Sequence, residues 1–286
     1  MGDDIYFVFG PNQAYYFSGP KYQRCRGYPK CCQKDDPFSN IQKPHCIAMG
    51  GNDGETAMIL YKRKDGQNRS VLSGDLVKTH PKLCEWIKEQ GRYDCRLAFG
   101  PYYQGKQGYM AWKTDNSRKL SLIPRETPAG EKWREVGRLK LATFGVDWAY
   151  FFLQTDGIFH YNFMGRYNTL GDIMKNYRLR AGDIKFIALN PYYVEEFFLL
   201  LNNSTALFRV PLSYRTALEN ALTQHGIKIE KALTSQRMEK DPKIPQKAKD
   251  SKFWEGLGKH VAGQVAGAVV GQVATALVGA AACTVM

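Results

Sequence analysis

Four thiols and an imidazole crowd one stretch of the chain: Cys25, Cys31, Cys32, His45 and Cys46 fall within 22 positions. Zinc takes such ligands tetrahedrally, usually from pairs two to four residues apart. Here Cys31 and Cys32 are adjacent, which suits ordinary reduced thiols packed as small hydrophobes; no metal and no cofactor is expected. His80 precedes Cys84 by four residues, one helical face, but Pro81 stands between them and marks a helix start with a buried Cys. His160 lies in the alternating run "IFHYNF", a hairpin position. The chain carries no G-x-S-x-G elbow, and "FGPYYQGKQG" lacks the Lys-Ser/Thr of a phosphate-binding loop. No catalytic residue is expected, and the chain reads as a non-enzyme.

Two tyrosine pairs offer binding chemistry instead. Tyr102-Tyr103 and Tyr192-Tyr193 follow Pro101 and Pro191 in matching contexts. Stacked aromatics can hold a sugar or a peptide; the preferred reading is that the same side chains wedge between neighbouring elements.

The last four residues, Cys283-Thr284-Val285-Met286, fit the C-a-a-X box, and a terminal Met favours a farnesyl group on Cys283. A single lipid gives reversible membrane binding, so a second signal is expected. Two are on offer. From Lys228 to Lys259 nine Lys or Arg face five Asp or Glu, a basic bias worth about 1 kcal/mol per cation at an anionic leaflet. The apolar run after it places Gly263, Gly267, Gly271 and Gly279 on one helical face, with Thr275 continuing it, the small-residue pattern that lets helices approach closely. As a helix, residues 261–282 would be about 33 Å long, near the roughly 30 Å of a hydrocarbon core. Its seven Val and Leu residues are offset by Gln264 and Gln272, so it is a marginal span. The preferred reading is an interfacial or self-associating helix; a transmembrane one stays a candidate.

These candidates need a frame, and the first 230 residues supply it as a repeat. Five apolar openings end in a turn: "YFVFGPN", "IAMGGND", "LAFGPYY", "LATFGVD" and "IALNPYY". Their turn residues, Gly10, Gly50, Gly100, Gly145 and Asn190, are spaced by 40, 50, 45 and 45. An aromatic strand follows each, as in "AYYFSG", "GYMAWKTDN" and "AYFFLQTDG". Most close on a tight-turn pair: Asp65-Gly66, Asp115-Asn116, Asp156-Gly157 and Asn202-Asn203. A third strand and a helical segment complete the unit, with Gly91, Gly137, Gly182 and Gly226 as expected helix stops. Such units cannot bury both faces alone, so they must stack. A period near 45 residues with several strands predicts a mainly β, five-bladed propeller followed by a C-terminal apolar helix. "IKIEKA" after Gly226 repeats the opening strand and is expected to pair back on the first blade.

The pattern "LAFGPYY…GYMAWKTDN" resembles the repeat of tachylectin-like and WD-like β-propellers, over roughly residues 4–232. The resemblance implies a propeller frame. The expected organisation is a repeat domain over 1–232, a basic flexible linker over 233–256 and the glycine-zipper helix with its C-a-a-X box over 257–286.

Composition agrees with a basic module. Lys and Arg outnumber Asp and Glu by 40 to 27, a formal charge of +13, which favours anionic partners. Without an arginine-rich run or an RNA-binding aromatic signature, nucleic acid is disfavoured against an anionic membrane. The acidic start "MGDDIYFVFG" is no secretory signal, Tyr6 stands where a myristoylated chain has Ser or Thr, and seven cysteines suit a reducing compartment. The expected place is the cytoplasmic face of a eukaryotic membrane. The expected role is a lipid-tethered interaction module for a protein or glycan ligand, with a membrane-perturbing effector and a lectin-like propeller as rivals.

Overall fold

The computed structural model describes residues 5–19, 23–26, 40–51, 56–115, 117 and 119–234. The chain separates into two units, Met1–Met238 and Glu239–Met286, and every described residue belongs to the first.

The described chain is mainly β, in five small sheets. Each is an antiparallel meander in sequence order: β1 (Tyr6–Phe9), β2 (Tyr15–Ser18) and β3 (Gln23–Arg26); β4 (Ile41–Gly50), β5 (Thr56–Arg63) and β6 (Asn68–Leu72); β7 (Cys95–Tyr103), β8 (Lys106–Lys113) and β9 (Lys119–Leu122); β10 (Leu139–Phe144), β11 (Tyr150–Gln154) and β12 (Phe159–Asn162); β13 (Ile184–Leu189), β14 (Phe197–Leu201) and β15 (Thr205–Val210). The middle strands explain the sequence pattern. "YYFS", "YFFLQ" and "FFLLL" are buried at every position, which is why they read as continuous apolar runs instead of alternating ones.

The hairpins to the third strands use the expected residues for a local reason. Asp65, Asp115 and Asp156 each accept a hydrogen bond from the backbone N–H two residues on, at Gln67 (3.0 Å), Ser117 (2.9 Å) and Ile158 (3.0 Å). Asn203 does the same for Thr205 at 3.1 Å. A short polar side chain thus mimics a turn of the backbone. Gly66 and Gly157 take the left-handed conformation (φ 83° and 84°), while in the last hairpin Ser204 does so (φ 60°).

Helices carry the chain from the third strand of the second, third and fourth sheets to the first strand of the next, and another follows the third strand of the fifth. They are α1 (Gly74–Thr79) and α2 (Pro81–Gln90), then α3 (Pro128–Glu135), α4 (Asn168–Asn176) and α5 (Leu212–Gln224). Ser73 caps α1 and Thr127 caps α3, with Pro128 in the first turn. Gly91 and Gly226 end α2 and α5 with φ of 85° and 69°. The other two expected stops do not act so. Helix α3 ends on an extended Val136 before Gly137, and Gly182 lies inside a short 3-10 turn, Ala181–Asp183, well beyond α4.

Between the sheets lie five apolar clusters, in cyclic succession. Ile47, Met49 and Ile59 pack with Tyr16 between the first two sheets. Met58 and Leu60 meet Leu97 and Ala111 between the second and third. Met110 and Trp112 meet Phe144 and Phe152 between the third and fourth. Phe151 and Leu153 meet Leu199 and Leu207 between the fourth and fifth. Phe7 and Tyr15 then meet Phe198 and Phe208, joining the fifth sheet to the first. One expectation fails here. The strand after Gly226, β16 (Lys228–Thr234), does not pair with the first sheet; it runs parallel beside β15, Thr205 opposite Lys228 and Val210 opposite Thr234. The reason is α5, which turns β15–α5–β16 into a crossover that returns the chain in the same direction.

Candidate functional site

The first strands β1, β4, β7, β10 and β13 line a shared cavity of about 420 Å³. They do not pair with one another, since each belongs to a different sheet, so the backbone groups on their inner edges need other partners. Side chains supply them. The Tyr6 hydroxyl donates to Ile47 O at 3.1 Å and accepts from Ile47 N–H at 3.0 Å. The Cys46 thiol repeats this one sheet on, donating to Leu97 O (3.7 Å) and accepting from Leu97 N–H (3.3 Å). Thr143 Oγ1 accepts from Leu189 N–H at 3.1 Å. Burial is the main reason that both the Tyr6 hydroxyl and the Cys46 thiol are pushed above their ordinary pKa ranges, so each keeps the proton it donates.

At one end of the cavity, glycines make room for the next sheet. A Cβ on Gly50 would stand 3.0 Å from the Phe99 ring, and one on Gly100 would stand 2.9 Å from Trp148 and 3.0 Å from Phe144. On Gly145 it would run into the Tyr167 ring and hydroxyl. None of these glycines has a positive φ; close packing, not the turn, requires them. Tyr167 uses the room to donate to Asn190 O (2.5 Å) and accept from Val146 N–H (2.9 Å). In the fifth repeat Asn190 replaces glycine. Its amide donates to the buried Glu196 carboxylate at 2.7 Å and its carbonyl accepts from Tyr192 N–H at 2.9 Å, which sets the Pro191-Tyr192 turn.

That turn carries one of the four candidate tyrosines across the cavity. Tyr192 reaches from the fifth sheet to the second, donating to Met49 O at 3.3 Å. Burial raises its hydroxyl pKa, the nearby Tyr102 raises it further, and Gln107 opposes. Gln107 is itself buried; its amide donates to Gly100 O and its carbonyl oxygen accepts from Gly51 N–H at 3.0 Å. Tyr102 is 39% exposed beside this network. Tyr103 instead turns its ring edge to Trp148, centroids 6.4 Å apart, as a wedge between sheets. Tyr193 is half-buried.

The opposite end is cationic. Lys43, Arg96, Lys140 and Lys185 line it, each near the start of its strand, and no carboxylate lines the cavity among the described residues; Asp3 and Asp4 lie outside them. The strands run in the same sense. Tyr6 meets Ile47 and, ring to ring at 5.6 Å, Phe186, while at the other end the site of a Gly10 Cβ is 3.3 Å from Met49. Sequence reasoning passed over these cations. The signal was present in "CRLAFG", "KLATFG" and "KFIALN", where one basic residue precedes the apolar opening.

The remaining candidates divide. Cys46 is engaged with the Leu97 backbone, and His45 Nε2 lies 3.1 Å from Asn68 Oδ1, so these two do not converge on a metal. Among the described residues no group of three or more His, Cys, Asp or Glu could hold one. The backbone of Cys25, in β3, pairs with that of Tyr16 in β2; Cys31, Cys32, the tail glycines Gly263, Gly267, Gly271 and Gly279, and Cys283 to Met286 lie outside the described residues. Among the described residues no helix is long and apolar enough to cross a membrane. His80 is spent on structure: Nε2 donates to Gln107 O at 2.7 Å and Nδ1 lies 2.7 Å from Thr79 Oγ1. Cys84 and Cys95 are buried free thiols, with Cys95 pushed up to about 11, chiefly by burial. His160 Nε2 sits 3.2 Å from the Gln154 amide.

No protein-family model, no curated protein and no solved structure matches this chain.

Proposed function

We propose that residues 5–234 are a five-bladed β-propeller that acts as a non-enzymatic binding module, tethered to the cytoplasmic face of a membrane by a lipid on Cys283. The observation that carries the frame is the cyclic succession of apolar clusters, above all the one that joins Phe7 of the first sheet to Phe198 of the fifth, their rings stacked at 4.9 Å. Five repeats of similar length, each with its first strand on a common cavity, support the same reading. The resemblance of the repeat to tachylectin-like and WD-like propellers agrees with it.

The tether rests on chemistry at the other end of the chain. A farnesyl group on Cys283, the basic stretch from Lys228 to Lys259 and the apolar segment from Val261 to Ala282 are three weak attachments that add. A net charge of +13 points the same way. The test is the intact mass of the full chain expressed in eukaryotic cells, with membrane fractionation beside it. A farnesylated Cys283 without Thr284 to Met286 is expected, with Cys283→Ser shifted to the soluble fraction. An unmodified tail refutes the tether. Leakage of liposomes induced by peptide 253–286 would instead favour a membrane-perturbing role.

A further inference from the structure

The shared cavity has an asymmetry that a structural void does not need. Its walls are apolar, with Val8, Ala98, Ala142 and Phe186 among them. One end is crossed by Tyr192, bonded to Met49 O. The other end carries Lys43, Arg96, Lys140 and Lys185. Lys140 is exposed, Lys185 and Arg96 are half-buried, and neither Lys140 nor Lys185 has a carboxylate within ion-pairing distance among the described residues. Arg96 is held in place by the carbonyls of Tyr93 (3.4 Å) and Cys95 (3.0 Å).

We infer that this cavity binds a single-chain amphipathic anion, a fatty carboxylate, with its alkyl chain in the apolar shaft and its carboxylate among the four cations. The volume of about 420 Å³ falls within the range of small-molecule sites, roughly 300–1,000 Å³, and such sites combine apolar walls with a few placed polar groups. From Lys185 to Leu189 the strand spans roughly 13 Å at about 3.3 Å per residue, a depth that suits a medium alkyl chain. Low-dielectric walls focus the field of clustered cations onto the opening, so the site selects the sign of the head group as well as the tail. A small anion such as acetate would use only the opening, and an alkyl cation would meet four like charges there. The inference rests on the cavity alone and survives the loss of a lipid at Cys283.

The experiment is calorimetric titration of the full-length chain with dodecanoate below its micelle concentration, with dodecyltrimethylammonium and acetate as comparators. One dodecanoate per chain is expected, with neither comparator binding comparably. Lys140→Gln/Lys185→Gln changes one exposed and one half-buried position at the cavity's cationic end and is expected to weaken dodecanoate at least tenfold. Ala142→Phe fills the shaft and is expected to abolish binding with the circular dichroism spectrum unchanged. Equal binding of the alkyl cation, or wild-type affinity in the double lysine variant, overturns the inference and places any uptake on the apolar tail or the outer surface. Should Ala142→Phe fail to fold, the lysine pair and the two comparators decide the question.

Discussion

Tyr6 and Cys46 perform one task with different chemistry. Each side chain closes both backbone valences of a residue in the next sheet's first strand, Ile47 and Leu97. Removing the Tyr6 hydroxyl strands a buried N–H and C=O together. Tyr6→Phe is therefore expected to lower unfolding stability by about 1–3 kcal/mol, read from urea denaturation, although the ring itself is kept. His80 makes a different prediction. Burial is the first reason its pKa is lowered from 6.5, against the pull of the Gln107 carbonyl. The folded chain then holds His80 neutral while the unfolded chain takes up a proton, so stability falls as pH drops below about 6.5 and is flat in this respect above it. A His80→Gln variant should flatten that part of the profile, as measured by melting temperature between about pH 7.5 and about pH 5.

At the scale of elements, a hairpin glycine and a first-strand glycine separate two kinds of constraint. Gly66 has φ of 83° and open space around its Cβ position; Gly100 has an ordinary φ, with Trp148 and Phe144 against it. Gly66→Ala should therefore cost about 1 kcal/mol of backbone strain, and Gly100→Ala about 1–3 kcal/mol of overpacking, with only the second changing the near-ultraviolet signal of Trp148. From the sequence both glycines look like turns, because a string of letters shows spacing and not what leans on the backbone. The strands themselves were legible: "AYFFLQTDG" carries its burial and its turn on its face, and the Asp156 side chain bonds where such pairs usually do. Two things were not. A single Lys before an apolar run looks like any strand flank, so Lys140 and Lys185 gave no hint that they converge on one opening. The run "IKIEKA" looked like a sixth opening strand, but its partner is set by the direction in which α5 delivers it. The two tyrosine pairs look alike in the sequence, yet Tyr102 and Tyr103 lie in β7 opposite Gln107 and Lys106, whereas Tyr192 and Tyr193 follow a turn set by Asn190, and Tyr103 wedges against Trp148.

For the molecule as a whole, the critical junction is the one between the fifth sheet and the first. Like the other four junctions, it contains no backbone ladder among the described residues. It is held by stacked rings, Phe7 on Phe198 at 4.9 Å and Tyr15 on Tyr214 at 4.3 Å, together with Phe208 and Leu218. Phe198→Ala is expected to cost about 3–5 kcal/mol. Because the damage falls at the junction, limited proteolysis should then nick β1 and β15 ahead of the interior sheets, whereas a Leu60→Ala change between the second and third sheets should not reproduce that order.

Strand β16 is the last described stretch of chain before residue 235, and it pairs with β15 from Thr205 to Val210, with one register shift between Ala206 and Leu207. Any tug on the residues that follow arrives first at that ladder and, behind it, at the aromatic stack of Tyr214. Were the chain held by those residues, as proposed for Cys283, force would reach its fifth sheet before any other described sheet, and the amides of β15 would act as its fuse.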